Sequence, residues 1–203
     1  MKTRRFLATL SLAGTVLVSM HATGAALEFG AKLTNQTEPA NARQGMYCAG
    51  TQNPNGMCTW VLMQALGCEF GNCLNGHLAP ANGTIGTVRL VACTTGTFVL
   101  QIAKQVNPKT QVAEVARSGP LINYAADPNQ CNGDTFKVQS FAVNVPVLKN
   151  EYLAVATDQI DFISCSGGSN NMLGFAPPLP DGGGLRKSSF GSGCFMLLEA
   201  IYK

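Results

Sequence analysis

The chain has 203 residues, of which 46% are hydrophobic and 12% are charged, and its formal net charge is +3. So few charges, with no cluster of Lys and Arg, exclude the electrostatic surface that nucleic acid or an anionic membrane requires. The length suffices for a single domain with a sizeable hydrophobic core.

The first 26 residues have the three parts of a signal peptide of bacterial type. An apolar run over residues 6–18 precedes a small-residue end over residues 22–26, and the basic start contains Lys2, Arg4 and Arg5. A membrane-spanning helix needs about 20 apolar residues, which neither this run nor any later segment provides. We therefore expect cleavage after Ala25 or Ala26, and a product that is secreted, periplasmic or held at the cell surface without a membrane span.

Loss of this leader makes the mature chain formally neutral, with 11 basic and 11 acidic residues. It also leaves His77 as the only histidine.

Eight cysteines remain after cleavage, and an even number in an exported chain predicts up to four disulfides. They are Cys48, Cys58, Cys68, Cys73, Cys93, Cys131, Cys165 and Cys194. A zinc site is the alternative, but no second close Cys/His pair accompanies Cys68 and Cys73. We expect no metal and no cofactor, and the spacing leaves the connectivity open.

The mature chain begins with a polar, poorly periodic stretch over residues 27–45, which we interpret as an arm or linker. An inserted donor strand is the alternative for this stretch. A single domain over residues 46–203 follows. Its first part contains the run Thr59–Leu66, which is either a strand or one helical turn, and Trp60 there packs on a disulfide or stacks on a sugar.

The stretch Asn82–Val106 predicts a hairpin, because two alternating segments flank the turn residues 94–96. Phe98 and its alternate neighbours form an apolar face, so the core is expected beneath them. A second hairpin is predicted from residues 137–147 and 152–156, with Pro146 at an edge or a bulge because proline has no amide donor.

Between and after these hairpins lie loops over residues 127–134, 166–171 and 177–184, separated by shorter strands. The last run, Cys194–Tyr202, is apolar on both faces and is therefore expected to be a central, covered strand. Eight to ten short strands with no long helix predict an all-β fold, namely a disulfide-stabilised antiparallel β-sandwich of jelly-roll-like form.

Three stretches resemble a set of uncharacterised exported bacterial β-sandwich proteins, in which they recur in the same order. They are PANGTI at 80–85, VPVLKNEYLAV at 145–155 and CFMLLEA at 194–200. The resemblance covers about Cys58 to the C-terminus and implies the disulfides Cys131–Cys165 and Cys58–Cys194. It leaves the pairing of the other four cysteines open, and it implies no functional residue because the set has no established activity.

An enzyme is the first function to weigh. His77 lies in a loop without a nucleophile motif nearby, which disfavours hydrolysis by a histidine base. A secreted glycosidase would need only two suitably spaced carboxylates, for which the chain offers Glu114, Asp134, Glu151, Asp158 and Asp161. Any sandwich of this size has as many, so we expect no enzyme and assign no catalytic residue.

Two other classes remain. A carbohydrate-binding module would recognise sugars, for example cell-surface polysaccharide, through exposed aromatic side chains, and the candidates are Trp60, Tyr47, Tyr124 and Tyr152. Low charge, disulfides and Gly/Asn/Thr-rich loops instead suit a durable extracellular or surface part that associates with itself or with the envelope. We favour this non-enzymatic structural or assembly role.

Overall fold

The computed structural model describes residues 27–33, 46–48, 56–63, 77–92, 94–125, 137–160, 162–165 and 171–203, with the backbone alone at 46, 47, 164 and 165. The described residues form fifteen strands. They are β1 (Glu28–Gly30), β2 (Met46–Tyr47), β3 (Cys58–Leu62), β4 (Gly83–Leu90), β5 (Gly96–Asn107), β6 (Val112–Tyr124), β7 (Gln139–Val147), β8 (Tyr152–Thr157), β9 (Gln159–Ile160), β10 (Ile163–Cys165), β11 (Met172–Phe175), β12 (Arg186–Lys187), β13 (Phe190–Ser192), β14 (Cys194–Met196) and β15 (Leu198–Tyr202).

The strands build two main antiparallel sheets, which confirms the predicted all-β sandwich. The four-stranded sheet has the order β1-β15-β4-β7, and the seven-stranded sheet has the order β12-β6-β5-β8-β3-β11-β13. Two short ladders, β2–β9 and β10–β14, lie outside them. The run that begins at Thr59 is a strand, as one of its two interpretations held, since β3 pairs with β8 and β11.

The predicted central hairpin is wrong in its pairing, although both of its strands exist. β4 pairs with β15 and β7, whereas β5 pairs with β6 and β8 in the other sheet. Val88 and Phe98 are both buried in the core between the sheets. Alternation reports that a strand has an apolar face, and it does not report which strand lies beside it.

The second predicted hairpin is wrong for the same reason, because β7 and β8 belong to different sheets. The expectation for Pro146 is confirmed, since β7 is an edge strand of the four-stranded sheet. In the turn that follows, Asn150 has φ of 68°, a left-handed conformation that asparagine tolerates better than most residues.

The run predicted as one central strand, Cys194–Tyr202, is divided at Leu197 into two strands. Its second part, β15, is central, as predicted, since it lies between β1 and β4, whereas β14 pairs only with β10 in a separate ladder. The partner strand β1 of β15 corrects the interpretation of residues 27–45 as an arm or linker. Phe29, Ala31 and Leu33 are buried in the core, so residues 27–33 belong to the sandwich. Residues 34–45 lie outside the described part of the chain.

Both faces of the seven-stranded sheet are covered at β3. Within β3, Trp60 and Leu62 face the core between the sheets, whereas Val61 packs in a second cluster with Leu173 and Leu179. Every residue of β3 is buried for this reason. The second cluster lies beneath the loop 176–185, which contributes Leu179.

One segment joins the two edges of this sheet. β12 pairs with β6, and only Ser188 and Ser189 separate β12 from β13, which pairs with β11 at the other edge. Ser188 N–H donates to Gln111 O over 2.7 Å, and Ser189 N–H donates to Gly174 O over 2.8 Å. Three peptide units span at most about 11 Å, so the sheet curls until its edges lie near each other.

Candidate functional site

Two of the four aromatic candidates for sugar binding lie in the core. Trp60 is 1% exposed, and its ring contacts Phe190 with 5.0 Å between centroids. Tyr124 is 3% exposed and lies between Phe98 and Phe162, at 6.1 and 5.6 Å. Neither ring is available to stack on a sugar in this structure.

Tyr152 is half-buried and faces His77, with 5.7 Å between the ring centroids. Burial raises the pKa of the Tyr152 hydroxyl and lowers the pKa of the His77 imidazole. The fourth candidate, Tyr47, has a side chain outside the described residues. The described aromatic candidates therefore do not share an exposed platform.

The glycosidase candidate Glu151 is occupied by a structural contact. Its two carboxylate oxygens accept hydrogen bonds from the Arg117 guanidinium over 2.6 and 2.9 Å. Oε2 also accepts from Leu148 N–H over 2.7 Å, and Arg117 Nη1 donates in addition to Pro146 O over 3.0 Å. The pair thus holds the turn after β7 against β6.

Two further candidate carboxylates also have local partners. Glu114 forms an ion pair with Lys104 over 3.4 Å across β5 and β6. Asp158 accepts a hydrogen bond from Gln159 N–H over 2.9 Å and one from the Thr157 hydroxyl over 3.4 Å. The remaining candidates, Asp134 and Asp161, lie outside the described residues. The described carboxylates are therefore distributed over separate contacts and form no pair.

Sequence reasoning missed a polar network that begins inside the seven-stranded sheet. The Thr59 hydroxyl donates to Gln101 Oε1 and accepts from Leu179 N–H, each over 2.8 Å. Gln101 Nε2 donates to Leu179 O over 3.2 Å. Thr59 and Gln101 are both buried, so these bonds provide the partners that buried polar groups require. The signal was the amide at Gln101, which interrupts the apolar run Phe98–Ala103.

The network continues to the protein surface. Gln101 Nε2 also donates to the Ser118 hydroxyl over 3.1 Å. That hydroxyl donates to Asp181 Oδ1 over 2.6 Å, and Ser118 N–H donates to Asp181 Oδ2 over 2.8 Å. Four side chains, from Thr59 through Gln101 and Ser118 to Asp181, therefore connect the sheet interior to the loop 176–185. We call this set the loop-anchoring network.

The same loop and a glutamine side chain cover more of the edge of β6. Val115 O accepts a hydrogen bond from Gly182 N–H over 2.8 Å. Farther along, Gln139 Oε1 accepts from Ala125 N–H over 3.0 Å, and Gln139 Nε2 donates to Ala125 O over 2.8 Å. Pro120 has no amide donor. These features limit addition of another strand along β6.

A partly buried ion pair anchors the N-terminal segment. Arg89 Nη1 donates to Glu199 Oε2 and Nη2 donates to Leu33 O, each over 2.8 Å. Glu199 is 2% exposed. Burial raises the pKa of its carboxyl and nearby Glu28 adds to the rise, while Arg89, the Leu33 backbone and Lys32 oppose it.

The disulfide pairing of the cysteines agrees only in part with the pairing that the resemblance implies. A disulfide joins Cys48 to Cys58, with 5.7 Å between the Cα atoms. It links the β2–β9 ladder to β3, and it corrects the implied pair Cys58–Cys194, since one sulfur forms one disulfide. Cys194 is itself disulfide-bonded. The side chain of Cys165 and all of Cys68, Cys73, Cys93 and Cys131 lie outside what is described.

In the described part of the chain, no group of three or more His, Cys, Asp or Glu side chains could hold a metal ion. Within the same residues, no helix is long and apolar enough to cross a membrane. Comparisons of the chain with protein-family models, curated proteins and solved structures find no match.

Proposed function

We propose that the protein is a non-enzymatic structural component that acts outside the cytoplasm, either secreted, periplasmic or at the cell surface. Its partners are copies of itself or cell-surface polysaccharide. The observation that carries the proposal is the loop-anchoring network, because polar side chains that could line a binding cleft are instead used to fasten a loop to the core.

Covalent and ionic contacts support the same role. The Cys48–Cys58 disulfide constrains the unfolded chain, and a disulfide suits an oxidising compartment. The Arg117–Glu151 and Arg89–Glu199 pairs each join elements that are distant in sequence. A part that must persist outside the cell benefits from slow local opening, since proteases cleave segments that open.

The structure removes several candidate residues for the two competing functions, carbohydrate binding and glycoside hydrolysis. Carbohydrate binding through Trp60 or Tyr124 would require an exposed ring, and both rings are buried. Glycosidase chemistry would require a facing carboxylate pair, whereas Glu114 and Glu151 have basic partners. Among the described residues, no shared exposed aromatic platform and no facing pair of the candidate carboxylates supports either alternative.

The test uses the exported, leader-free protein with its disulfides intact. We expect protein from the extracytoplasmic fraction to resist protease for hours, to hydrolyse no chromogenic glycoside or ester, and to increase in mass with concentration in light scattering or to sediment with envelope polysaccharide. Turnover of a glycoside that is lost in Glu151→Gln or Glu114→Gln would overturn the proposal. So would protein that remains in the cytoplasm, or a monomer that sediments with no envelope fraction.

A further inference from the structure

We propose that Cys165 and Cys194 form a disulfide that closes the β10–β14 ladder. The resemblance described above does not imply this pair. It implies instead that Cys165 bonds to Cys131. The inference goes beyond the proposed function and does not depend on it.

The register of the ladder places the two cysteines opposite each other. β10 and β14 are antiparallel, and Ile163 pairs with Met196 while Cys165 pairs with Cys194. In an antiparallel ladder, opposed residues alternate between hydrogen-bonded and non-hydrogen-bonded pairs. Which kind of pair the cysteines occupy decides whether a disulfide fits there.

A hydrogen bond at the end of the ladder shows which kind of pair the two cysteines form. Leu197 N–H donates to Phe162 O over 2.7 Å, so this pair is hydrogen-bonded and the cysteine pair, three positions along, is not. Consistently, Cys194 N–H donates to the Ser192 hydroxyl over 3.1 Å. Non-hydrogen-bonded pairs have Cα atoms about 4.5 Å apart, within the range of about 4.4–6.8 Å that disulfides span.

The state of Cys194 supplies a second, independent observation. Cys194 is disulfide-bonded, and Cys48 and Cys58 are already bonded to each other. Its partner is therefore one of the other five cysteines. Among these, Cys165 is the one that the described backbone places directly across from it.

The bond forms by thiol–disulfide exchange with an oxidising dithiol–disulfide donor. One cysteine thiolate attacks the donor disulfide and releases one donor thiolate, which gives a mixed disulfide. The second cysteine thiolate then attacks the mixed disulfide and releases the other donor sulfur. Two electrons and two protons pass from the protein to the donor, which leaves as a dithiol.

Peptide mapping of the full, unreduced protein tests the pair. The protein is first alkylated and denatured at acidic pH and is then digested with trypsin. Digestion yields Cys165 in the peptide 150–186 and Cys194 in the peptide 188–203. Cys131 lies in the peptide 118–137, and Cys93 lies in the peptide 90–104. We expect 150–186 linked to 188–203, with both released by reduction. A link from either peptide to a third one, or both cysteines alkylated, would overturn the proposal.

Substitutions provide a second measurement. Relative to the unsubstituted protein, the double variant Cys165→Ser/Cys194→Ser is expected to gain no free thiol after denaturation, whereas Cys165→Ser alone gains one. A gain of two free thiols in the double variant would contradict the pair, since it would show that each cysteine had left a different partner. If a variant fails to fold, the map of the unsubstituted protein still decides.

Discussion

Arg117 and Glu151 form a two-point ion pair that joins β6 of the seven-stranded sheet to the turn after β7, an edge strand of the four-stranded sheet. Glu151 is buried, while the Arg117 side chain remains partly exposed. Because Arg117 Nη1 also donates to Pro146 O, the guanidinium connects β6 both to Glu151 and to the backbone of β7.

Removing Glu151 is expected to be costly, because the Arg117 guanidinium and Leu148 N–H both lose the carboxylate that accepts their hydrogen bonds. Glu151→Ala would lower the free energy of unfolding by about 2–4 kcal/mol, measured by urea denaturation. The matched control is Glu114→Ala at the more exposed pair with Lys104, where we expect about 0–1 kcal/mol. Equal losses in the two variants would contradict the distinction.

The loop-anchoring network predicts local rather than global opening when its outer end is removed. Asp181→Ala takes away both acceptors of Ser118, so we expect trypsin to cleave after Arg186 or Lys187 at least several-fold faster while the melting temperature changes little. Asp158→Ala, which removes an equal charge outside the network, serves as the control. Unchanged cleavage in Asp181→Ala would show that the Asp181 carboxylate does not restrain the loop.

Interrupting the network at its centre has a different effect. Gln101→Leu leaves the buried Leu179 O without its amide donor and the Thr59 hydroxyl without its acceptor. Each buried polar group left unpaired costs about 1–3 kcal/mol, so we expect a loss of about 2–4 kcal/mol in denaturant unfolding. Thr97→Val, at an exposed position of the same strand, is expected to change stability by less than about 0.5 kcal/mol.

At Gly119, β6 and β7 approach each other so closely that glycine is required. A Cβ at Gly119 would lie 2.6 Å from Val145 Cγ2, so Gly119→Ala is expected to destabilise the protein by about 1–3 kcal/mol through overpacking. Val145→Ala in the same chain removes the clashing methyl group. The double variant should therefore lose less stability than the two single losses combined, and strict additivity in thermal unfolding would disprove the contact.

Glu199 predicts a specific dependence of stability on pH. Burial raises the pKa of its carboxyl above the ordinary value of 4.5 in the folded state, so the folded protein binds this proton more tightly than the unfolded chain does. The corresponding stability is complete below the ordinary value and is lost as pH rises through the raised pKa. Arg89, Glu28 and Lys32 face this carboxyl and remain in the variant described next.

Urea titrations of the unsubstituted protein and Glu199→Gln, from about pH 4 to about pH 8, isolate the effect because glutamine does not titrate. The free energy of unfolding of the unsubstituted protein minus that of the variant should fall with rising pH. A difference that rises with pH would show that the Arg89 contact outweighs burial and lowers the pKa instead.

Strand positions were predictable wherever alternation was strong, as in β4, β5 and β7, since a half-buried strand must present apolar residues at every second position. Pairing was not predictable at the same places. The segments on either side of residues 94–96 looked like a hairpin, yet the chain crosses there from one sheet to the other. A hairpin and a crossing between two sheets have the same local pattern, because in both of them each strand needs a single apolar face.

The candidate residues show the same division. Aromatic residue type alone could not reveal that Trp60 and Tyr124 lie inside the core, because indole and phenol rings serve both packing and sugar recognition. Nor did the sequence indicate that Gln101 meets Thr59, Ser118 and the loop 176–185, since these contacts join residues far apart in the chain.

By itself, the sequence determined the all-β class, the central position of the end of the chain and the placement of Pro146 at an edge or a bulge, because each depends on local periodicity or backbone preference. Only the tertiary structure decided which strands pair, that residues 27–33 complete a sheet, that Cys58 bonds to Cys48, and that one short segment covers both edges of the large sheet. Those outcomes depend on contacts between distant residues, and the free energy of such contacts is set by the packed whole rather than by any stretch of the chain.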